Sequence, residues 1–441
     1  MIKLSEHFGY KKLIKFSLPV IIMFSLSSIY GVIDGLFVTN FVGKIPFASI
    51  GFILPFLFIL DAIGLIFGTG GGALIAKTIG EKDREKANKI FSLIVYTSII
   101  SGIIFTIIGY IFLEPFAVLF GAHGELLEGV KTYGYIYLLG ITASVLQLEF
   151  QSFFSTAAKP KMGLYITLIA GVTNIILDAI FIIVFKWGLQ GVAIATVISK
   201  SIGGIIPIIY FSRKNKSLLR LGKTHFDGQV LLKSCTNGAS EFIGNIAVAI
   251  IGMLYNMQLL KYAGENGVAA YAVLFNVSMI FMTMAMGYAA GVAPVISYHF
   301  GAGNHTEIKS LRKKSTNMIV CTSLLVFLLL QVFARNIVGL FVGYDPELFE
   351  MTLRGFRIGT ISLLFSGFAI FNTAFFTALN DGFVSGFISF SRTFIFEISA
   401  ILVLPIIFGL DGIWFSAVIA EILAICVAII FLIAKRKKYK Y

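Results

Sequence analysis

Charge is what this chain has least of. Only 13% of its 441 residues are Asp, Glu, Lys or Arg, against about 25% in soluble domains. Cysteine is also scarce: Cys235, Cys321 and Cys426 are scattered, with neither a disulfide pattern nor a metal spacing. The five histidines form no His-Glu-x-x-His and have no acidic partners at ligand spacing, so no intramembrane metalloenzyme follows. Gly68-Thr69-Gly70-Gly71-Gly72 mimics a nucleotide loop but lies in an apolar run with no strand pattern, which suits close helix packing instead. Low-complexity tracts and a separate soluble domain are missing too.

Long apolar runs are what the chain has in excess, with hydrophobic residues at 58%. Most runs exceed the ~20 residues that cross a bilayer's hydrocarbon core. Twelve are read, at 14–41, 47–76, 91–113, 132–156, 163–185, 190–211, 233–260, 268–297, 317–341, 353–378, 383–408 and 413–434. The fold class is therefore an all-α integral membrane protein. The first run follows basic residues as a signal peptide would, but it is too long for an h-region and lacks a cleavage site, so it is read as a retained span.

A shift of 221 residues lays the chain on itself. Gly31, Gly43, Gly70 and Gly80 fall on Gly252, Gly264, Gly291 and Gly301. Phe150, Phe154, Thr156 and Ala157 fall on Phe371, Phe375, Thr377 and Ala378, and Gly188 falls on Gly409. Two six-helix repeats follow, in the same orientation because six is even, with an axis along the membrane normal and a cavity between two lobes. The expected division is an N-lobe over 1–212, a linker over 213–232 and a C-lobe over 233–441. The linker reads as a polar, basic tether supplying reach.

The formal charge of +13 sorts by side. With both termini in the cytosol, 26 of the 35 Lys and Arg residues fall on inner segments and seven on outer ones. That is a positive-inside pattern for a multi-pass plasma-membrane protein and not a nucleic-acid footprint. The tail Lys435-Arg436-Lys437-Lys438 is expected to fix orientation and touch anionic lipid.

Ionisable residues inside the membrane are costly, and they mark function. The acids are Asp34, Asp61, Glu149, Asp178, Glu241, Glu397 and Glu421; the bases are Lys200 and Arg392. Such an interior favours cations, and Lys200 and Glu421, repeat counterparts, read as ties between helices. Asn174 and Asp178 share one face of span five. Counted from the outer helix ends, Asp34, Asp178 and Thr196 lie about 10–13 Å below that surface. Two carboxylates, an amide and a hydroxyl suit a hard cation such as Na+ or a shared proton, and the Val192 carbonyl offers a further oxygen. The second copy has Tyr255, Ile395, Ser399 and Ala417 there, so neither carboxylate recurs. The plainer reading is a buried hydrogen-bonded network that holds no ion.

Phe16-Ser17-Leu18-Pro19, Ser28-Ile29-Tyr30-Gly31-Val32-Ile33-Asp34-Gly35 and Phe41-Val42-Gly43 resemble the opening of the multidrug and toxic compound extrusion (MATE) exporters, closest to their MepA-like bacterial branch. Asn174-Ile175-Ile176-Leu177-Asp178, the run Gly188 to Thr196, and Gly238-Ala239-Ser240-Glu241-Phe242 are similar to that branch too. The resemblance implies a V-shaped, two-lobe antiporter driven by inward sodium or proton flow. It puts the coupling cation on Asp34, Asn174, Asp178 and Thr196, with Glu241 as an alternative coupling carboxylate. It also implies no enzyme activity and no cofactor beyond the coupling ion.

Expected partners are small organic, mainly cationic, drugs and the surrounding lipid, with no nucleic acid, the chain working as a monomer. Glu149, Phe154, Glu241 and Asn245 are the candidate cavity residues, and methionines on spans seven and eight suit adaptable surfaces. Pro19 is the candidate gating kink, unless it only marks a first helical turn. A channel fits the two-lobe repeat less well than alternating access. The alternative to an exporter is a lipid-linked saccharide flippase, whose anionic cargo would want a basic cavity.

Overall fold

The computed structural model describes residues 2–441, and among them the chain is helical, with no strand. Ten helices are long and apolar enough to cross a membrane: Tyr10–Val42, Lys44–Gly80, Arg84–Leu119, Pro160–Val184, Gly188–Ser212, Gly228–Gly301, His305–Val332, Pro346–Ala378, Gly382–Phe408 and Leu410–Tyr439. Gly228–Gly301 is two passes, because Gly264 adopts φ 63° and breaks it. A further pass is made of two shorter helices, Gly124–Leu139 and Ile141–Thr156, interrupted at Gly140. Twelve passes result, numbered span one to span twelve in chain order.

Local geometry repeats with the sequence. Gly43 and Gly264 both have positive φ where the chain turns between the first two spans of each half, and Gly188 and Gly409 do so before the last span. These conformations penalise a Cβ, so glycine belongs there. Asp83 caps span three by accepting from Lys86 N, and Asn304, its repeat counterpart, accepts from Glu307 N. Such side chains satisfy amides that a helix start leaves free. Span four breaks at Gly140, and span ten tightens into a 3-10 turn at the matching place, Thr360–Ser362.

The single offset fails through span four and the loop after it. After span four, Ala157, Ala158 and Lys159 donate to Phe153, Ser155 and Phe154; after span ten, Leu379, Asn380 and Asp381 donate to Phe375, Thr377 and Phe376. The structural offset there is 222, so Phe153 and Phe154 occupy the seats of Phe375 and Phe376. Each copy also carries a widened turn in its fifth span, Ala179–Val184 in span five and Ser391–Glu397 in span eleven.

The halves meet near the end of the molecule that carries both termini. A Cβ on Gly80 would lie 2.0 Å from Tyr298 O, and one on Gly301 would lie 1.9 Å from Lys77 O. Gly70 likewise abuts Ser234 and Gly238, while Gly287 and Gly291 abut Ile21 and Ser17. Helix backbones in a membrane approach closely where residues are this small. Pro19 sits at this crossing, inside Tyr10–Phe37 and buried, well beyond the first turn.

The ends of each half are exchanged. Leu4, Phe8, Leu13 and Phe16 pack into a core built from spans eight to twelve. Leu219 and Leu221 pack into a core of spans two to six. The linker is therefore no slack tether. Arg84 donates to Ser217 O at 2.8 Å and Leu218 O at 3.1 Å, Asn88 Oδ1 accepts from Arg220 N, and Ser92 Oγ accepts from Gly222 N. The basic tail has protein partners as well, since Lys435 and Lys438 stand 3.7 and 3.9 Å from Asp381 Oδ2.

Replacing Gly301 with Leu is expected to overpack the crossing and cost about 1–3 kcal/mol. A lowered thermal midpoint of the detergent-purified protein would register it, whereas Gly303→Leu would act only through its positive φ, since no atom lies within 4 Å of its Cβ position.

Candidate functional site

Gly171 makes the notch that assembles the site. A Cβ there would strike the Tyr30 ring at 1.9 Å, so span one lies directly on span five. One turn further along each helix come Asp34 and Asn174, and Asp178 follows one turn beyond Asn174. Span six is drawn onto the same group by Gly191, which abuts Phe181, and by Ser199 Oγ donating to Ala170 O at 2.8 Å.

Asp34 and Asp178 face one another across this contact. Asp178 is wholly buried, and neither of its carboxylate oxygens has a hydrogen-bond partner. Asp34 Oδ1 and Asn174 Nδ2 are also buried and unpaired. Thr196 turns its hydroxyl onto Val192 O at 3.0 Å, so that carbonyl is engaged by its own helix and is not a free oxygen. Two facing carboxylates without a protein donor make a seat that a proton or a small cation would relieve. Among the described residues no group of three His, Cys, Asp or Glu stands together as a metal cluster.

Tyr133 is not marked by any sequence pattern, yet it is buried against this pair and beside Thr196. It leads to a second polar group. Tyr137, one turn along span four with ring centroids 5.9 Å apart, donates to Asp61 Oδ2 at 2.7 Å. Lys200 donates to Ser144 Oγ at 2.7 Å, stands 3.9 Å from Asp61 Oδ2 and lies 5.4 Å from the Tyr137 ring. Lys200 thus ties span six to spans two and four. A tie of inverted sign occurs at the repeat-related position: Glu421 accepts from Arg392 Nε at 3.0 Å and Nη2 at 2.5 Å.

The other candidates lie elsewhere. Glu149 and Phe154 are buried inside the first half, not on its surface toward the second. Phe154 belongs to an aromatic cluster with Phe150, Phe91, Phe153 and Phe211. Glu149 is packed against Gly68 of span two, with both oxygens unpaired. Glu241 is half-buried on span seven, and Asn245 directs its amide to the main-chain oxygen of Glu241 at 2.9 Å instead of to a carboxylate. Met253 and Met257 are exposed, at 61% and 55%. Glu397 lies two positions from Ser399, near Tyr255 and Tyr271, so the second half keeps a carboxylate close to the related seat.

A fold of twelve apolar helices in two related halves, with ionisable groups buried between helices, defines a multi-pass membrane protein. The MatE family model matches residues 19–180 and 242–403, once in each half, and the chain belongs to that family. It is 28% identical over 430 residues to the multidrug export protein MepA of Staphylococcus haemolyticus strain JCSC1435, covering 97% of this chain and 94% of that protein. MepA of Staphylococcus aureus strain MSSA476 is 27% identical over 432 residues, with the same coverage. The fold matches an outward-facing multidrug resistance MATE family transporter of the MOP superfamily with a TM-score of 0.92 at 21% identity, covering 99% of this chain and 98% of that one. A MATE transporter in complex with MaL6 matches at 0.91 and 22%, covering 99% and 97%.

Arg392→Ala would strand the buried Glu421 carboxylate. A loss of about 3–5 kcal/mol is expected, read as a collapse of the monodisperse peak on fluorescence-detected size exclusion, with Arg392→Lys retaining part of it.

Proposed function

We propose that this chain is a cation-driven multidrug exporter, in which inward flow of Na+ or H+ drives outward movement of organic, mainly cationic, compounds. The observation that carries the reading is the facing Asp34–Asp178 pair, whose buried oxygens lack donors. Asp34, Asn174, Asp178 and Thr196 hold the coupling cation within the first half. Val192 joins only if Thr196 releases its carbonyl. The family and the MepA relatives support drug export as the output. Acids outnumber bases in the interior, which favours cationic cargo and disfavours the anionic lipid-linked saccharides of the flippase alternative. Glu241, half-buried on the second half, is the remaining candidate for contact with cargo.

Orientation follows from charge. The basic segments gather with both termini at one end, and the positive-inside pattern assigns that end to the cytosol. Glycine contacts close the two halves there, so this conformation opens toward the outside. Residues 1–212 and 233–441 act as the two lobes, joined by the segment between them, in a single chain that works alone in the plasma membrane. Transport then requires the Gly80–Tyr298 and Gly301–Lys77 contacts to open. Pro19, which removes a helix hydrogen bond beside the span-eight crossing, is the element placed to bend span one as the cation binds.

Asp34→Asn and Asp178→Asn are each expected to abolish gradient-driven efflux of a cationic dye from vesicles while leaving the elution profile unchanged. Imposing sodium and proton gradients separately identifies the ion. Wild-type efflux in either variant at matched protein would overturn the assignment. Spin labels at the cytosolic ends of spans two and eight should change separation on adding the coupling ion. Asp34→Asn should remove that response.

A further inference from the structure

Two buried acids of the first half take no part in the coupling pair. Asp61 sits mid-span with Oδ1 unpaired, and Glu149 is fully buried with neither oxygen paired. Ser98, on span three beside Glu149, is buried with its hydroxyl unpaired as well. An intramembrane carboxylate without a partner is costly, and structural packing alone gives no reason to hold one.

These groups lie in series. Spans two and four run parallel and in register, with Gly64 against Val145 and Gly68 against Glu149. Asp61 is seven residues before Gly68, so Glu149 lies about 10 Å nearer the termini end. Above Asp61, Tyr137 holds its Oδ2, and Tyr133 stands one turn on, against Asp34 and Asp178. Span four therefore carries Tyr133, Tyr137, Ser144 and Glu149 through the interior, from the coupling pair toward the proposed cytosolic end. Tyr137, Ser144 and Lys200 face Asp61; Ser98 of span three and the Gly68 backbone of span two face Glu149.

We propose that Asp61 and Glu149 form a proton-release path inside the first half, with Lys200 as its charge gate. The inference rests on cation coupling at Asp34–Asp178 and adds the proton as a coupling ion with its own exit. A proton leaving that pair passes by Tyr133 and Tyr137 to Asp61, and from there along water entering between the helices to Glu149 and the cytosolic side. Each carboxylate gains one proton and loses one. The Lys200 ammonium, 3.9 Å from Asp61 Oδ2, repels an arriving proton, which keeps the path shut while the two stay together. Such a gate is needed, because an open path would dissipate the gradient without moving cargo.

The test uses the full chain in vesicles with a pH-reporting dye inside and no drug present. Lys200→Met should leak protons severalfold faster than wild type, and adding Glu149→Gln to it should return the leak to the wild-type rate. Glu149→Gln alone should reduce proton-driven dye export about a hundredfold, leave tetraphenylphosphonium binding unchanged, and be rescued in part by Glu149→Asp. A leak that persists in the double variant, or wild-type proton-driven export by Glu149→Gln, overturns the path. If Lys200→Met does not fold, the Glu149→Gln and Glu149→Asp pair decides alone. A wild-type protein driven by sodium and indifferent to protons overturns this inference and leaves the exporter reading standing.

Discussion

Hydrocarbon offers no hydrogen bonds, so every polar atom buried in this molecule is either partnered by protein or left in need of something that moves. The first half shows both cases, joined by Tyr133 and Tyr137. Lys200, Ser144, Tyr137 and Asp61 largely satisfy one another. Asp34 and Asp178 do not, although Gly171 and Ser199 draw their helices tightly together. Close packing around an unmet charge is an expensive arrangement for a scaffold. For a transporter it is a natural one, since a cation that supplies the missing partner also changes the energy of the packing around it.

The repeat sharpens the contrast. Both halves share the turns at Gly43 and Gly264, the caps at Asp83 and Asn304, and the interruption midway along their fourth span. They differ in charge. Lys200 in one half is answered by Glu421 in the other, each tied to an oppositely charged group on a neighbouring helix. The seat of Asp34 is filled by Tyr255 and that of Asp178 by Ser399, with Glu397 two positions away. One backbone plan thus carries two unlike interiors.

Much of this was legible from residue order. Apolar length marked the spans, and glycine spacing marked the turns, because a membrane helix and a positive φ each admit few residue types. Asn174 and Asp178 were legible as one face because helical spacing is fixed. Tyr133 and Tyr137 were not, since aromatic residues in an apolar run look like packing until a carboxylate is seen beside them. The interior location of Glu149 was equally hidden, because sequence spacing does not say which neighbour a helix face meets. The offset of 222 around span four was not legible, because a one-residue slip leaves no composition signal. The anchoring of the linker on Arg84, Asn88 and Ser92 depends on contacts about 130 residues apart.

The exchanged ends carry a consequence for how the molecule is made. Phe8 and His7 rest on Glu307, which is synthesised about 300 residues later. At roughly 5–20 residues per second, the amino-terminal segment waits on the order of 15–60 s for its seat to emerge. During that interval Leu4, Phe8 and Leu13 have no core to enter, and the surface of the membrane is the apolar phase nearest to them. The first half can insert before this, but its leading segment is fastened last, so the closing of the chain's two ends is a late event in its assembly.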